Sequence, residues 1–591
     1  MSKKLFVLFI FAAIAVSCEP KHPEGHGNKK ESDANYVGQP VGNFSAEEWY
    51  PGGELGTSDN VAPGSYEDPT PAVERMGLEQ AFNRGEAFFE RNVTEHQPPF
   101  KGRGPASVRK SCLDCHPAYG HGQWRSRYNA NGDSFGNGYL LVVYHENAAN
   151  PNDGPYVAEV TGMPQTMAVA PFLPPIDEDK ISISWHAVSA MESGLPMTFP
   201  DGEKYELIYP ELFIPEDAFN TVPTPYETAR KKGNKVGFRL ESTIGIPGTG
   251  LIDAIPQEAI KAQYARESEH VELNPAFWDK NASDFAPTAF YHNWQKGKYG
   301  AGYDAEGKYY ERDSYMGGKL LKKFTYAMTR GTLQDGAGSN AIWNITNVSR
   351  PDRPFLYTTV AWARAMSENP KVIAEIQRQG ADSPYYVDVN KDGTVSKEEI
   401  AETLLALLSP TTNQFDNAYH NFEPEMSAEE FYDFMVWHRG LAMPRARNLH
   451  DPQVQKGKKL FNEMGCVACH RPSWKTGDDN YWSPALIEKK PLPRYANQTI
   501  WPYSDFIQHR LWMKNDIHGT WCRTTPLWGR GLSELNTGRA DRLHDCRARN
   551  VVEAIMWHGY SKDSDAYKSA VKFYNLTKEE RNAVVKFIDS I

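Results

Sequence analysis

The chain has 591 residues, of which 40% are hydrophobic and 12% aromatic, so it can build several domains with sizeable cores. Its formal net charge is −11 and it contains no long basic block, which argues against nucleic acid as a partner. The composition is that of a globular protein.

The N-terminus has the pattern of an export signal. Lys3 and Lys4 precede an apolar run over residues 5–16, which is too short to span a bilayer. The Ala-Val-Ser-Cys18 that follows resembles a bacterial lipobox, in which Cys18 is lipidated and becomes the mature N-terminus; an ordinary signal peptide with a chance cysteine is the alternative. The pattern predicts a signal peptide over residues 1–18 and a lipid-anchored protein that faces the periplasm or the cell surface.

The next segment, residues 19–72, is dense in Pro, Gly, Asn, Asp and charged residues and has few aliphatic ones. Such a composition favours disorder, and we expect a flexible tether between the membrane and the domains. No later stretch has the eighteen or so apolar residues that a membrane helix needs, so lipid is the only membrane attachment predicted.

Two Cys-x-x-Cys-His motifs are the strongest chemical signal in the chain: Cys112-Leu-Asp-Cys115-His116 and Cys466-Val-Ala-Cys469-His470. The spacing is typical of covalent haem c, because the two thiols form thioethers with the haem vinyl groups and the adjoining histidine ligates the iron. With 7 Cys and 17 His in the chain, one chance match has a probability of roughly 0.002. A redox dithiol or half a zinc site would need no histidine directly after the second cysteine.

A weak internal repeat precedes the two motifs. Gly85-Glu-Ala-Phe88-Phe89 echoes Gly457-Lys-Lys-Leu460-Phe461, each within a predicted helix. We therefore predict a mainly α fold with two cytochrome c-like haem domains, over residues 73–440 and 441–591. Alternating apolar and polar residues between 137 and 215 predict a β-rich insertion in the first domain.

Residues 388–399 fit the calcium loop of an EF-hand. Gly393 occupies position six, where the loop needs a sharp turn. The oxygen ligands predicted at positions 1, 3, 5, 7, 9 and 12 are Asp388, Asn390, Asp392, Thr394, Ser396 and Glu399. EF-hands usually occur in pairs and no partner loop is apparent, so a plain acidic turn is the alternative; a single site would bind structural Ca²⁺.

Two capping boxes predict helix starts near the ends of the two domains. Ser427-Ala-Glu-Glu430 opens a helix on which His438 is expected to pack at the end rather than to bind iron. Thr577-Lys-Glu-Glu580 opens the last helix, whose apolar stripe suits the crossing C-terminal helix of a cytochrome c domain.

After lipid and haem have claimed five of the 7 cysteines, Cys522 and Cys546 remain. In an oxidising compartment the simplest prediction is a disulfide between them. Two buried free thiols or a redox-active pair are the alternatives.

Several segments resemble the bacterial di-haem oxidoreductase family, within the di-haem cytochrome c peroxidase superfamily. The likeness is strong over the last 150 residues and weaker from Gly104 to Thr346. Beyond the second haem motif it rests on Leu441-Ala-Met-Pro-Arg445, Tyr503-Ser-Asp505, Arg523-Thr-Thr-Pro-Leu-Trp-Gly529, Leu543-His-Asp-Cys-Arg-Ala548 and Glu553-Ala-Ile-Met-Trp-His-Gly559.

The resemblance implies candidates for the remaining iron ligands. For the second haem it points to His558 as distal ligand, with Met513 as the competitor. Bis-His ligation would give that iron a lower potential than His/Met ligation. Cys546 stands where relatives have glycine, which supports the disulfide with Cys522.

The distal side of the first haem is less decided. Gln165 matches a glutamine of relatives and is our candidate for positioning peroxide and shuttling its proton. The other candidates are Met163, His121, His145, His186 and Glu192.

The resemblance implies a di-haem peroxidase-like enzyme. An external donor, such as a small cytochrome, a cupredoxin or a quinol-linked protein, would reduce the C-terminal haem. The electron would then pass to the N-terminal haem, where hydrogen peroxide is reduced. The alternatives are an electron-transfer cytochrome without peroxidase activity and a thiol oxidoreductase using Cys522 and Cys546.

Overall fold

The computed structural model describes residues 33, 35–93, 104–129, 138–146, 157–291, 320–334, 338–481, 483–516 and 519–591. The expected signal peptide and the lipidated Cys18 lie outside these residues. Helix accounts for 35% and strand for 13% of the described residues. None of the helices among the described residues is both long enough and apolar enough to cross a membrane.

The helices are short. In chain order the described α-helices are α1 (Gly53–Gly56), α2 (Pro71–Arg75), α3 (Glu79–Glu90), α4 (Pro225–Lys232), α5 (Thr249–Asp253), α6 (Gln257–Glu267), α7 (Gly338–Thr346), α8 (Val360–Ser367), α9 (Pro370–Gln379), α10 (Lys397–Leu408), α11 (Ala428–Gly440), α12 (Pro452–Met464), α13 (Ser533–Thr537), α14 (Val551–Trp557), α15 (Tyr567–Tyr574) and α16 (Lys578–Ile588). Both predicted capping boxes are present, at the starts of α11 and α16.

The described strands form two-stranded sheets only. The strands are β1 (Thr57–Ser58), β2 (Ala106–Ser107), β3 (Tyr139–His145), β4 (Met167–Ala168), β5 (Ser182–Ala187), β6 (Ile208–Phe213), β7 (Val236–Ser242), β8 (Trp278–Asp279), β9 (Asp284–Phe285), β10 (Phe290–Tyr291), β11 (Leu320–Leu321), β12 (Met443–Pro444), β13 (Trp474–Lys475), β14 (Thr499–Ile500), β15 (Gln508–Arg510) and β16 (Trp521–Arg523). The longest ladders are antiparallel: β3 with β7 and β5 with β6.

The fold is therefore mixed rather than mainly α. The two long ladders do lie in and just beyond the segment predicted as β-rich. The short pairs are spread along the chain, because isolated two-residue strands form where two loops run side by side and leave no alternating pattern in the sequence.

The tether prediction is wrong for the described part of residues 19–72. Phe44 and Trp49 are buried in the core of the C-terminal haem unit, with the Phe44 ring 6.1 Å from that of Phe587. The Glu48 carboxylate pairs with Lys458 at 2.7 Å. A few aromatic anchors outweigh a polar composition, because each buries a large apolar area.

Candidate haem sites

The second Cys-x-x-Cys-His motif follows a tight helix crossing. Helix α12 packs across α16 at Gly457, where an added Cβ would lie 2.0 Å from the carbonyl oxygen of Ala583. Only glycine permits this approach without a shift of backbone. The Phe461 ring, one turn further on, lies 6.1 Å from the His470 ring and 5.3 Å from the Phe587 ring.

The first motif follows a crossing of the same design. Helix α3 packs across α11 at Gly85, where an added Cβ would lie 2.2 Å from the carbonyl oxygen of Asp433. The Phe89 ring lies 6.2 Å from the His116 ring and 4.3 Å from the Trp437 ring. The weak sequence repeat is thus a repeated packing unit: a glycine crossing, a phenylalanine one turn on, and an aromatic residue of the second helix beside it.

His470 is held with one ring nitrogen free for a ligand. Its Nδ1 lies 3.0 Å from the carbonyl oxygen of Tyr503 and donates to it when protonated, which leaves Nε2 with the lone pair. Burial, and then the charge of His558, lower the pKa of His470 to about 4, so the ring is neutral at pH 7. A neutral imidazole is the form that binds a metal.

A cavity of about 590 Å³ lies against the second motif. Cys466, Cys469 and His470 line it, together with both predicted distal candidates, His558 and Met513. Its size and its largely apolar wall suit a cofactor-sized ligand.

His558 has the same arrangement as His470. It caps the C-terminus of α14, and its Nδ1 lies 2.7 Å from the carbonyl oxygen of Ala554. Burial lowers its pKa, which keeps the ring neutral. Two neutral imidazoles, each with Nδ1 bound to backbone, therefore share the cavity.

His116 repeats this arrangement at the first motif. Its Nδ1 lies 2.8 Å from the carbonyl oxygen of Ile244, and burial lowers its pKa to about 4. Burial raises the pKa of both Cys112 and Cys115 to about 12, so the thiols are protonated. The motif is as well enclosed as the second one.

His438 lies in the last turn of α11, at the helix end where the sequence placed it. It lies on α11 directly after Trp437, and burial followed by the charge of His116 lowers its pKa to about 3. Its Nδ1 is buried beside Gly338 and has no hydrogen-bond partner among the described residues. Aligning Trp437 with Phe587 in the repeat would have indicated the position, because the residue after Phe587, Ile588, lines the second cavity.

The side chain of Gln165 forms hydrogen bonds with backbone carbonyl groups. Its side chain is fully buried, and its amide donates to the carbonyl oxygen of Ala106 at 3.2 Å and also to that of Tyr357. It does not line the cavity at the second motif. These contacts make Gln165 a structural link between two loops. Its Oε1 has no hydrogen-bond partner among the described residues, and its expected role toward peroxide stays a prediction.

The other candidates for the first haem separate clearly. His186 and Glu192 face solvent, where they pair with Glu211 and Lys514. His145 ends strand β3. Met163 packs in a small cluster that also contains Cys115.

His121, five residues beyond His116, lies between the two motifs. Its Nε2 is 2.6 Å from the Tyr326 hydroxyl and 3.1 Å from the Ser242 hydroxyl, and its Nδ1 is 2.7 Å from the carbonyl oxygen of Gly122. Both His121 and Tyr326 line the cavity at the second motif. A buried tyrosine and histidine in hydrogen-bond contact thus connect the wall of that cavity to the segment that carries the first motif.

The calcium loop lies between α9 and α10, as a helix–loop–helix unit requires. Gly393 has φ +89°, the left-handed conformation expected at position six. Glu399 Oε1 accepts hydrogen bonds of 3.0 Å from the amides of Val389 and Asn390, and Asp388 accepts from the Asp392 and Gly393 amides. The carboxylates at both ends of the loop therefore turn inward, which fits a hard cation.

The predicted disulfide is absent: Cys522 and Cys546 are both free. The Cys522 thiol lies 3.5 Å from Asp516 Oδ2, whereas the Cys546 thiol lies 3.8 Å from His121 Nδ1. The two residues occur in segments that the resemblance made neighbours, but their side chains point into different surroundings. A pairing inferred from cysteine counting cannot detect this.

The fold of the C-terminal third of the chain fits a haem-type domain. Residues 393–591 match the model of the family described as "Di-haem oxidoreductase, putative peroxidase". This C-terminal third of the chain is similar to that family, which implies haem cofactors and an oxidoreductase domain. No curated protein matches the chain.

Proposed function

We propose that this protein is a di-haem c-type oxidoreductase that reduces hydrogen peroxide at the N-terminal haem with electrons relayed through the C-terminal haem. The observation that supports it most is the repeated unit: each glycine helix crossing precedes a Cys-x-x-Cys-His motif whose histidine uses Nδ1 on backbone. The family match over residues 393–591 agrees with this class.

The residues present fit covalent haem. Cys112 and Cys115 would hold the first group and Cys466 and Cys469 the second, with His116 and His470 as iron ligands. When bound, the haems supply the one-electron chemistry that no amino-acid side chain of this site offers. The chain contributes neutral axial imidazoles, apolar enclosure and exclusion of water.

His558 is proposed as the second iron ligand in the C-terminal unit. It shares the cavity with His470, and its charge acts to lower the pKa of His470. Met513 lines the same cavity and remains the competitor. Two imidazoles would close this site to substrate and suit it to storing an electron.

Tyr326 and His121 are proposed as the connection between the two units. The hydroxyl of Tyr326 can donate to His121 Nε2 across 2.6 Å, and the Tyr326 ring stands 6.0 Å from the His544 ring. A buried tyrosine with a proton acceptor at this distance can lose an electron as its proton moves to the histidine, so that the positive charge rests on the imidazole and not on the phenol.

His438 takes the role first given to Gln165. Peroxide reduction needs a group near the open iron position that accepts a proton and returns it, so that H₂O₂, two electrons and two protons become two waters. The Nδ1 atom of His438 is buried, and burial followed by the charge of His116 lowers the pKa of the ring to about 3, so it is neutral. Its unpartnered Nδ1 is consistent with proton exchange at the first haem.

The proposal also includes a bound calcium ion, a lipid anchor and an external electron donor. Ca²⁺ would occupy the loop formed by residues 388–399 and brace α9 against α10. The protein would be exported and lipid-anchored through Cys18, with a small cytochrome, a cupredoxin or a quinol-linked protein as electron donor. Mass spectrometry of the mature N-terminus tests the anchor: a diacylglyceryl mass on Cys18 is expected, and an unmodified N-terminus contradicts it.

The unpartnered Nδ1 of His438 also favours a second candidate, an electron-transfer cytochrome without peroxidase activity. If His438 ligates the first iron, both haems are bis-His and neither is open. The thiol oxidoreductase hypothesis loses its support, because Cys522 and Cys546 contact different residues and do not form a pair.

Steady-state assays with pre-reduced protein decide between the first two. Peroxide-dependent oxidation of a reduced small cytochrome is expected. Absence of turnover, with both irons six-coordinate in every redox state, would establish the electron-transfer cytochrome instead.

A further inference from the structure

A cluster of three metal-binding side chains lies outside the two haem motifs. Asp516, Cys522 and His544 bring one carboxylate, one thiol and one imidazole together, with all ligand atoms within 4.8 Å of one another. None of the three belongs to a Cys-x-x-Cys-His motif or to the calcium loop. Cys522 and His544 also line the cavity at the second motif.

The side chains of the cluster lie close to one another. His544 Nε2 lies 2.7 Å from Asp516 Oδ1, and the Cys522 sulfur lies 3.5 Å from Asp516 Oδ2. The His544 side chain is 4% exposed and that of Asp516 1%. The carboxylate therefore stands between a nitrogen and a sulfur, shielded from water.

Separate elements hold the three side chains. Cys522 lies on β16, where it is paired with His509 of β15. The loop of His544 is tied to the first unit, because its backbone carbonyl accepts from the amide of Ser242 at 2.5 Å. Ligands fixed by different rigid elements are preorganised for a metal ion.

The guanidinium of Arg547 lies close enough to the cluster to act on Cys522. Arg547 binds the Asp545 carboxylate through Nη2 at 2.6 Å, and both side chains are buried. Burial and the charge of Asp516 raise the pKa of the Cys522 thiol well above its usual value, and the charge of Arg547 acts in the opposite direction, toward the thiolate. A thiolate is the form of cysteine that ligates metals.

The donor set identifies the class of ion. Thiolate and imidazole are poor ligands for Ca²⁺ and Mg²⁺, which prefer oxygen, whereas Zn²⁺ accepts sulfur, nitrogen and carboxylate oxygen together. Three protein ligands leave a fourth position of a tetrahedral ion open. Because two of the ligands line the cavity, that position would face it.

We propose that Asp516, Cys522 and His544 form a binding site for a thiolate-accepting divalent cation, with Zn²⁺ as the representative ion. On binding, the Cys522 sulfur and His544 Nε2 each give up to solvent the proton that they share with Asp516, and both then bond the metal, with the remaining proton of the imidazole on Nδ1. The ion would replace the contacts of Asp516 with both neighbours and fix the wall of the cavity formed by β16 and the His544 loop. The site stands independently of the proposed peroxidase activity.

The experiment measures zinc in the holoprotein carrying both haems. The protein is equilibrated with zinc in the presence of excess calcium, which keeps the loop of residues 388–399 out of the measurement, and then dialysed. Elemental analysis is expected to give about one zinc per two irons. Zinc-edge X-ray absorption is expected to find one sulfur at about 2.3 Å.

Two variants and one control make the assignment specific. Cys522→Ser and Asp516→Asn are each expected to weaken zinc binding about a hundredfold or more, with the haem spectrum and iron content unchanged. Cys546→Ser removes the other free thiol and is expected to bind zinc normally. Less than about a tenth of a zinc per chain in the native protein, zinc without a sulfur ligand, or equal retention in Cys522→Ser would each overturn the proposal.

Discussion

The two proposed haem units share a packing design but differ in what surrounds their histidines. In the C-terminal unit, His470 faces a cavity that also contains a second imidazole, His558, with its Nδ1 bound to backbone. In the N-terminal unit, the nearby imidazole is His438, whose Nδ1 has no partner among the described residues. The same fold thus presents one histidine prepared as a ligand and one left free to exchange a proton.

The difference between the two histidines indicates which unit is suited to peroxide chemistry. A histidine whose Nδ1 is fixed presents Nε2 in a set direction and suits permanent ligation. A buried histidine nitrogen without a hydrogen-bond partner lowers the stability of the fold, so its presence calls for a functional reason. This contrast agrees with the proposed function, in which the C-terminal unit stores the electron and the N-terminal unit binds substrate.

The largest expected effect comes from exchanging this free histidine. His438→Phe should lower kcat/KM for peroxide by about 10²–10⁴-fold, because it removes the proton-exchanging group and keeps the volume. The exposed His186→Phe is the matched control and should leave kcat/KM within about twofold. Stopped-flow and steady-state assays measure the change; normal turnover in His438→Phe would break the comparison between the units.

The second largest effect is expected from substitutions at the two helix crossings. Gly85→Ala and Gly457→Ala each place a Cβ within 2.2 Å of a backbone oxygen, so each should destabilise its unit by about 1–3 kcal/mol or more. Chemical denaturation followed by the two haem absorption changes measures both. The control is Gly202→Ala, which meets nothing within 4 Å and tests only the cost of its positive φ. If one crossing tolerates alanine, the two units are not equivalent.

The connection between the units is tested by Tyr326→Phe. Removing the hydroxyl that contacts His121 should slow electron transfer between the haems by roughly tenfold, which corresponds to about 1.4 kcal/mol in the barrier. Rapid mixing of half-reduced protein with peroxide measures the rate. Tyr264→Phe removes a buried hydroxyl elsewhere and serves as control; equal rates in the two variants would exclude Tyr326 as the connection.

The smallest effect concerns pH. Burial raises the pKa of Glu86 to about 7, near Glu90 and beneath Tyr119, whereas the unfolded value is 4.5. Between these values the folded state holds more protons than the unfolded state, so stability falls as pH rises from 4.5 to 7. With solvent screening of this half-buried group allowed for, Glu86→Gln should remove ~1 kcal/mol of that decline.

Denaturation midpoints at pH 5 and pH 8 give the measurement, with the surface variant Glu79→Gln for comparison. An unchanged pH slope in Glu86→Gln would assign the decline to other groups. The C-terminal unit provides a second comparison, since its corresponding helix carries Lys459 and Glu463 as an exposed pair.

The sequence was informative wherever a local pattern carries the physics. Thioether chemistry requires the Cys-x-x-Cys-His spacing, and the capping boxes at Ser427 and Thr577 form within four residues, so both could be predicted. The Gly85 and Gly457 repeat was visible but weak, because its reason, the helix crossing, involves residues more than a hundred positions away.

What could not be predicted depends on long-range contacts. The burial of Trp49 depends on packing against the C-terminal core, and the surroundings of Cys522 depend on Asp516 and His544. His438 looked like a packed helix end, because only the tertiary structure brings it close enough to His116 for their charges to interact. Gln165 was chosen from a family likeness, but hydrogen bonds to two backbone carbonyls occupy its amide.

The most direct test of the division between the units is the EPR spin state of each iron in the fully oxidised and the half-reduced protein. We expect a low-spin C-terminal haem in both states and a high-spin N-terminal haem in the half-reduced state. Adding peroxide should then change the high-spin signal. Two low-spin haems in both states would contradict it, and would assign His438 to the iron instead of to the proton.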